Sequence, residues 1–150
     1  DLDRLELPEP CEGCTIDRAG PGLHDEWVDA MAGGYELPRE LVDPMGPGAL
    51  GAGDEDCRLE FHVVRHEGTP IASSMFTVRE GVVGVYCIAT HPGHRGHGVG
   101  AWVTAAPLAA FRDAGHRTVV LQASEMGAPV YRRLGFSEHG TIPLHVRMPG

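Results

Sequence analysis

From Arg58 to Thr90 apolar and polar residues largely alternate, whereas on both sides of this stretch the apolar positions recur every three or four residues. The first period belongs to half-buried strands and the second to amphipathic helices. In RLEFHVV, Leu59, Phe61 and Val63 stand against Glu60 and His62; HEGTP turns, IASSMFTV runs back, REG turns again, and VVGVYCIAT ends at Thr90. Three strands joined by tight turns make an antiparallel meander, with the last and most apolar strand expected at the centre.

Before the meander, CTIDRAG reads as a short strand closed by Gly20, Pro21 and Gly22. GLHDEWVDAMAGGY places Leu23, Trp27, Ala30 and Met31 on one helical face, with Asp25 and Glu26 in the first turn, where the helix dipole favours them. LPRELVDPM predicts a second, short helix with Pro38 near its start. Gly, Pro, Ala and acids from Asp43 to Asp56 read as a mobile surface loop. After the meander, GVGAWVTAAPLAAFRDAG repeats Val99, Val103, Ala106 and Ala110 at helical spacing, flanked by Trp102 and Phe111 and stopped by Gly115. Pro107 is expected to kink or split this helix, since proline costs roughly 3 kcal/mol in a helix interior. TVVLQAS (118–124) predicts a buried strand. Pro129, Val130, Tyr131, Leu134 and Gly135 predict a two-turn helix, and TIPLHVRM a final strand.

The 150 residues suit a single domain, 1–150, and no apolar run reaches the roughly 20 residues that cross a bilayer. With no initiator methionine and no basic, apolar leader, the chain reads as processed or as a piece of a longer one, and as cytoplasmic. The formal charge of −9 repels phosphate backbones, which argues against nucleic acid as a partner and favours a cationic small molecule. All 12 basic residues are arginine, which removes Schiff-base chemistry and the Walker phosphate loop; the Lys-free, Ala/Gly/Pro/Arg-rich composition suggests a bacterial source. The CEGC stretch resembles half of a zinc site, yet Cys57 and Cys87 form no second CxxC, and a redox CxxC should open a helix. Cys87 is expected to act as a small buried hydrophobe.

The densest chemistry lies in THPGHRGHGVG, residues 90–100. A strand that passes through a glycine-rich turn into a helix points several main-chain N–H groups at one place, and the helix dipole makes that place an anion site. Gly96, Gly98 and Gly100 leave the backbone bare, and Arg95 can add a charged donor. His91, His94 and His97 could ligate zinc, but no fixed face and no local carboxylate or thiolate completes a site, so no metal is expected. A dinucleotide fingerprint does not fit either: HPGHR separates Thr90 from Gly96, Glu125 comes too late, and too little chain follows.

RGHGVG matches the Arg-x-x-Gly-x-Gly/Ala signature of the GNAT superfamily of acyl-CoA-dependent N-acyltransferases, and LQASEMGAPVYRRLGF resembles that family's later strand-helix motif with its tyrosine and closing Leu-Gly-Phe. The resemblance is specific over residues 58–137. It implies a mixed α/β, mostly antiparallel sheet with helices on both faces and a splayed parallel strand pair that admits acetyl-CoA as co-substrate. Carried onto this chain, the main-chain amides from Arg95 through Gly96, His97, Gly98 and Val99 to Gly100 would hold the pyrophosphate. Ile88, Ala89 and Thr90 would pair with the pantetheine arm, and Ser124 and Tyr131 would complete the coenzyme site. Tyr131 would protonate the departing thiolate.

The resemblance implies direct attack by an amine of a small molecule or protein, and a homodimer would match similar proteins. The family often places a glutamate on the central strand; none lies between Val82 and Thr90, so Tyr86, on the same alternation as Ile88 and acting through water, is the candidate base. Glu80 and Glu125 stand further off. Tyr35, Trp27, Asp25 and Glu26 could border an amine pocket, although core packing for the tryptophan and solvation for the acids are the plainer readings. The alternative function is a non-catalytic acyl-CoA-binding module; a dinucleotide oxidoreductase is the third.

Overall fold

The computed structural model describes residues 1–143. Five strands, β1 (Cys14–Ala19), β2 (Arg58–His66), β3 (Thr69–Arg79), β4 (Val82–Thr90) and β5 (Thr118–Leu121), lie in sequence order across one sheet. Neighbours are antiparallel except β4 and β5, which run parallel and are joined by a crossover helix. The helices are α1 (His24–Tyr35), α2 (Arg39–Val42), α3 (Pro47–Leu50), α4 (Val99–Asp113) and α5 (Ala128–Arg133). β3, not the more apolar β4, takes the middle position.

The two long helices cover opposite faces. Trp27, Val28, Ala30 and Met31 of α1 pack on Phe61, Val63 and Ala89, and the Trp27 indole N–H donates to the Ser74 carbonyl at 3.0 Å. On the other face Leu108 and Phe111 of α4 meet Phe76, Val83, Val85 and Leu2, while Val99, Trp102 and Val103 meet Val64, Ile71 and Ala72. Burial on both faces explains why β2 departs from simple alternation: His62 and Val64, on the nominally polar side, lie buried under α4.

Other expectations change with packing. Asp43 to Asp56 is not a plain loop. It holds a 3₁₀ turn, Asp43–Met45, and α3, tethered where the His24 ring accepts from the Gly48 amide at 3.0 Å and reaches Asp43 at 3.3 Å. The segment can approach because Gly46 lacks a Cβ, which would stand 2.6 Å from the imidazole. α4 runs unbroken through the buried Pro107, and its covered face passes through Thr104, Leu108 and Phe111 while Ala110 is exposed. β5 is shorter than expected and only half covered, with Val120 exposed, because its ladder with β4 stops at Leu121. The final strand expected at TIPLHVRM lies mostly outside the described residues.

Candidate active site

The site starts from a fault in β4. Met75 pairs with Tyr86 and Ser73 with Ala89, so two residues of β4, Cys87 and Ile88, oppose the single Ser74: a β-bulge. Cys87 takes φ +53°, a left-handed conformation that costs a non-glycine residue about 1–2 kcal/mol. The Ser73 hydroxyl holds it by donating to the Cys87 carbonyl at 3.0 Å. Beyond the bulge the faces exchange. Val83, Val85 and Ile88 pack on the α4 side, whereas Cys87 and Ala89 join the α1 core. Tyr86 shares the α1 side with its partner Met75, not the side of Ile88 as simple alternation requires. Cys87 is half-buried rather than a core residue, and burial pushes its thiol up to about 11.

The same point ends the parallel ladder. β4 and β5 pair from Val82 with Thr118 to Val85 with Leu121 and no further. From Tyr86 to Thr90, β4 keeps β3 on one edge and has no β5 partner on the other. The result is a wedge whose one wall is strand backbone, including Ile88, Ala89 and Thr90.

At the end of that wall the chain makes a 3₁₀ turn, Pro92–His94, capped where the Gly93 amide donates to the His91 ring at 3.3 Å. Gly96 and Gly98 both adopt φ +80°, and a Cβ on either would meet nothing within 4 Å, so the surface over them is open. Within the described residues the amides of Gly96, His97 and Gly98 have no backbone acceptor. Those of Val99, Gly100 and Ala101 precede the first α4 hydrogen bond, Trp102 to Gly98 at 2.9 Å, and are the free donors of a helix start. The Val99 side chain itself is buried in the core. Arg95 plays another part. Its amide is spent on Pro92 at 3.3 Å, and its guanidinium donates to the carbonyls of Thr90 at 3.1 Å and Gly34 at 2.6 Å, tying the end of β4 to the end of α1.

That junction is tight because α1 ends in glycines. A Cβ on Gly34 would stand 2.7 Å from the Ala89 Cβ and 2.8 Å from the Thr90 nitrogen. The close approach carries Tyr35 to the wedge, where burial and then the neighbouring Cys87 raise its hydroxyl. Tyr131, on α5, is half-buried and packs edge-on against Phe136 at 5.9 Å. Burial, followed by the neighbouring Tyr35, pushes its phenol up to about 12, so it stays a proton donor at any ordinary pH. Gly127 makes room for that ring, and its amide donates to the Ser124 hydroxyl at 3.2 Å. Leu121, Ser124, Ala128 and Tyr131 line a cavity of about 760 Å³ on the β5 side.

The glycine loop, Ile88 to Thr90, Tyr35 and Tyr131 therefore border one wedge, and Tyr86 lies on its α1 side, 45% exposed with its ring against Gly84. Trp27 is core, as its plainer reading held. Asp25 is paired with Arg39 and Glu26 with Arg65. His91 and His94 stand 6.2 Å apart between ring centroids and His97 is exposed, so the loop histidines do not converge as a trio. Residue pattern alone does not reveal the bulge or its Ser73 latch, whereas the Gly33–Gly34 pair before Tyr35 is a visible sign of close packing.

A mixed sheet opened between its parallel strands, with a bare amide loop at the mouth, defines the acyl-CoA N-acyltransferase fold. The GNAT acetyltransferase domain model matches residues 57–138, more than half of the sequence, and the chain belongs to that family. The structure is similar to a GCN5-related N-acetyltransferase from Kribbella flavida (28% identity, TM-score 0.65, covering 91% of this chain and 51% of that one). It is also similar to aminoglycoside N-acetyltransferase AAC(6')-Iy in complex with CoA (17% identity, TM-score 0.69, covering 95% and 99%). A third similar structure is an aminoglycoside acetyltransferase from an uncultured soil metagenomic sample in complex with sisomicin (13% identity, TM-score 0.68, covering 91% and 97%). The chain spans about half the length of the Kribbella flavida protein and of a similar protein from Pyrococcus horikoshii, 51% and 47%. A search of curated protein sequences finds no match.

Proposed function

We propose that the protein transfers the acetyl group of acetyl-CoA to an amine of a small molecule or protein, within a ternary complex. The observation that carries this reading is the coincidence of the Cys87 bulge with the end of the β4–β5 ladder, because it frees a strand edge that leads straight to unpaired amides. The pyrophosphate would sit on the amides of Gly96, His97, Gly98, Val99 and Gly100, with the α4 dipole behind them. The pantetheine arm would add to β4 at Ile88, Ala89 and Thr90 as an extra strand does, and Ser124 with Tyr131 would border the thiol end.

In this scheme the neutral amine attacks the thioester carbonyl, the C–S bond breaks, and the sulfur takes the Tyr131 proton. The proton lost by the amine passes through water, with Tyr86 as the relay, and restores Tyr131; amine and acetyl-CoA become amide and free CoA. Holding both reactants in the wedge supplies much of the acceleration. The raised phenol keeps Tyr131 protonated at working pH, so its hydroxyl is available to donate to the developing thiolate, as a weaker acid than a free tyrosine. The formal charge of −9 favours cationic acceptors, and the similarity to structures of aminoglycoside acetyltransferases supports amines of that chemical type.

The test has two arms. Desulfo-CoA titrated into the protein should release heat, and a panel of polyamines, aminoglycosides and peptides should include one that liberates thiol from acetyl-CoA. Binding without thiol release from any amine would turn the reading into a coenzyme-binding module, and neither signal would end it.

A further inference from the structure

Two motifs that the acetyl-transfer site leaves unused meet in space. CEGC forms a turn at the start of β1, in which the Cys14 amide donates to the Cys11 carbonyl at 3.1 Å and the two sulfurs are joined as a disulfide. Cys14 is the cross-strand partner of His66, so both side chains stand on the α4 face of the sheet. Gly13, at φ +71°, brings the turn against the imidazole: a Cβ there would lie 3.3 Å from His66 Cδ2 and Nε2. The nitrogen-bearing edge of His66 thus faces the turn between the cysteines. The ring of His94, from the loop before α4, packs on His66 with centroids 5.1 Å apart.

We propose that in the reduced, dithiol state the chain binds one zinc ion between Cys11, Cys14, His66 and His94, which makes a structural Cys₂His₂ site at the rim of the glycine loop. Two imidazoles sharing a tetrahedral zinc, with Zn–N of about 2.0–2.1 Å, hold their centroids about 5 Å apart, the separation already present. The C-x-x-C spacing is that of a zinc-binding turn, and here it leads into a strand, without the helix start that activates redox pairs. All four residues are half-buried, which suits a closed site at the edge of a core. No group of three or more His, Cys, Asp or Glu among the described residues is arranged for a metal, and Cys11 and Cys14 are bonded to each other, so the proposed set has to come together when the disulfide opens. A dithiol or phosphine reductant delivers two electrons and is itself oxidised, the disulfide takes two protons to become two thiols, and zinc then displaces those protons from the two sulfurs.

The site supplies what the sequence lacks: the second half of a zinc set whose partners are histidines from β2 and the loop, not Cys57 and Cys87. It stands apart from acetyl transfer, and it is read without any turnover. The full chain, reduced with a phosphine and freed of it under argon, is titrated with cobalt chloride and then zinc chloride. The expected result is one equivalent of cobalt with thiolate charge-transfer and tetrahedral bands, abolished by stoichiometric zinc, and no binding by the oxidised protein. Cys11→Ser and His66→Gln should each weaken zinc about 100-fold, because four ligands share the affinity of such a site, while His116→Gln leaves it unchanged. A reduced wild-type protein that gives no thiolate–cobalt band overturns the proposal whatever the variants do. So does wild-type affinity in both His66→Gln and His94→Gln.

Discussion

His62 should make the fold acid-sensitive by a calculable amount. The side chain sits on β2 opposite Ser74, 8% exposed, edge-on to Phe76 at 5.6 Å. Its Nδ1 and the neighbouring Ser74 hydroxyl are buried without hydrogen-bond partners. Nε2 lies 3.5 Å from a Glu60 oxygen, but that carboxylate is already engaged by Arg18 at 3.1 Å, so it offers little to an imidazolium. Burial, and then the Arg18 charge, lower His62 from 6.5 to about 4. The folded protein therefore keeps the ring neutral where the unfolded chain takes up a proton. Stability is complete above pH 6.5, falls as the pH drops toward 4, and is then level. That interval is worth about 3 kcal/mol at about 1.4 kcal/mol per pH unit, and about 2 kcal/mol is lost by pH 5. Against a typical domain stability of about 5–15 kcal/mol the loss is easily measured. Urea unfolding of the wild type and His62→Leu at pH 7.5 and pH 5 isolates it, because every other titrating group is common to both. The variant should lose about 2 kcal/mol less than the wild type between the two conditions. Equal losses would show that the ring is hydrated in the fold, and the argument from burial would fail.

Three further outcomes follow from the wedge. Tyr131→Phe should lower kcat about 10- to 100-fold, the worth of a hydrogen bond to a developing thiolate, with the KM for acetyl-CoA nearly unchanged in steady-state kinetics. Gly34→Ala pushes a methyl group into Ala89 and the β4 backbone, so it should destabilise by about 1–3 kcal/mol in urea and weaken desulfo-CoA in calorimetry; an unchanged midpoint would mean that α1 and β4 are not in contact. Arg95→Ala removes both carbonyl tethers and should raise the KM for acetyl-CoA more than it lowers kcat, and Arg95→Lys should rescue only in part, since a single ammonium cannot span both carbonyls as the planar fork does.

What the sequence showed was local in its physics. The meander was legible because each turn carries its own Gly signal and each strand its own β-branched residues. The amide loop was legible because glycine spacing and the following helix are enough to make an anion site, whatever packs around them. α1 declared its buried face through Trp27, Ala30 and Met31. What stayed hidden depends on partners distant in the chain. His62 looks solvent-facing until α4 covers it, His24 looks like any surface histidine until it caps the Gly48 amide, and CEGC has no second half until the β1–β2 register delivers His66.

The bulge at Cys87 is the most consequential of these, because no residue type announces it: a left-handed cysteine in an apolar run looks like any strand residue. Without the extra residue, Cys87 and Ala89 would follow Val83 and Val85 onto the α4 face, and Ile88 would go with Tyr86 toward α1. With it, Tyr86 and Cys87 both face the α1 side, where Tyr35 arrives from the end of that helix, and Ile88 turns to the α4 core. Tyr86 precedes the fault and faces α1 in either case; what the bulge adds to that side is Cys87 and Ala89, and what it removes is Ile88. Straightening the strand would bring Ile88 back beside Tyr86 and send Cys87 and Ala89 to the α4 face, so the wall of the cleft and the surroundings of the relay proposed at Tyr86 rest on the same backbone feature.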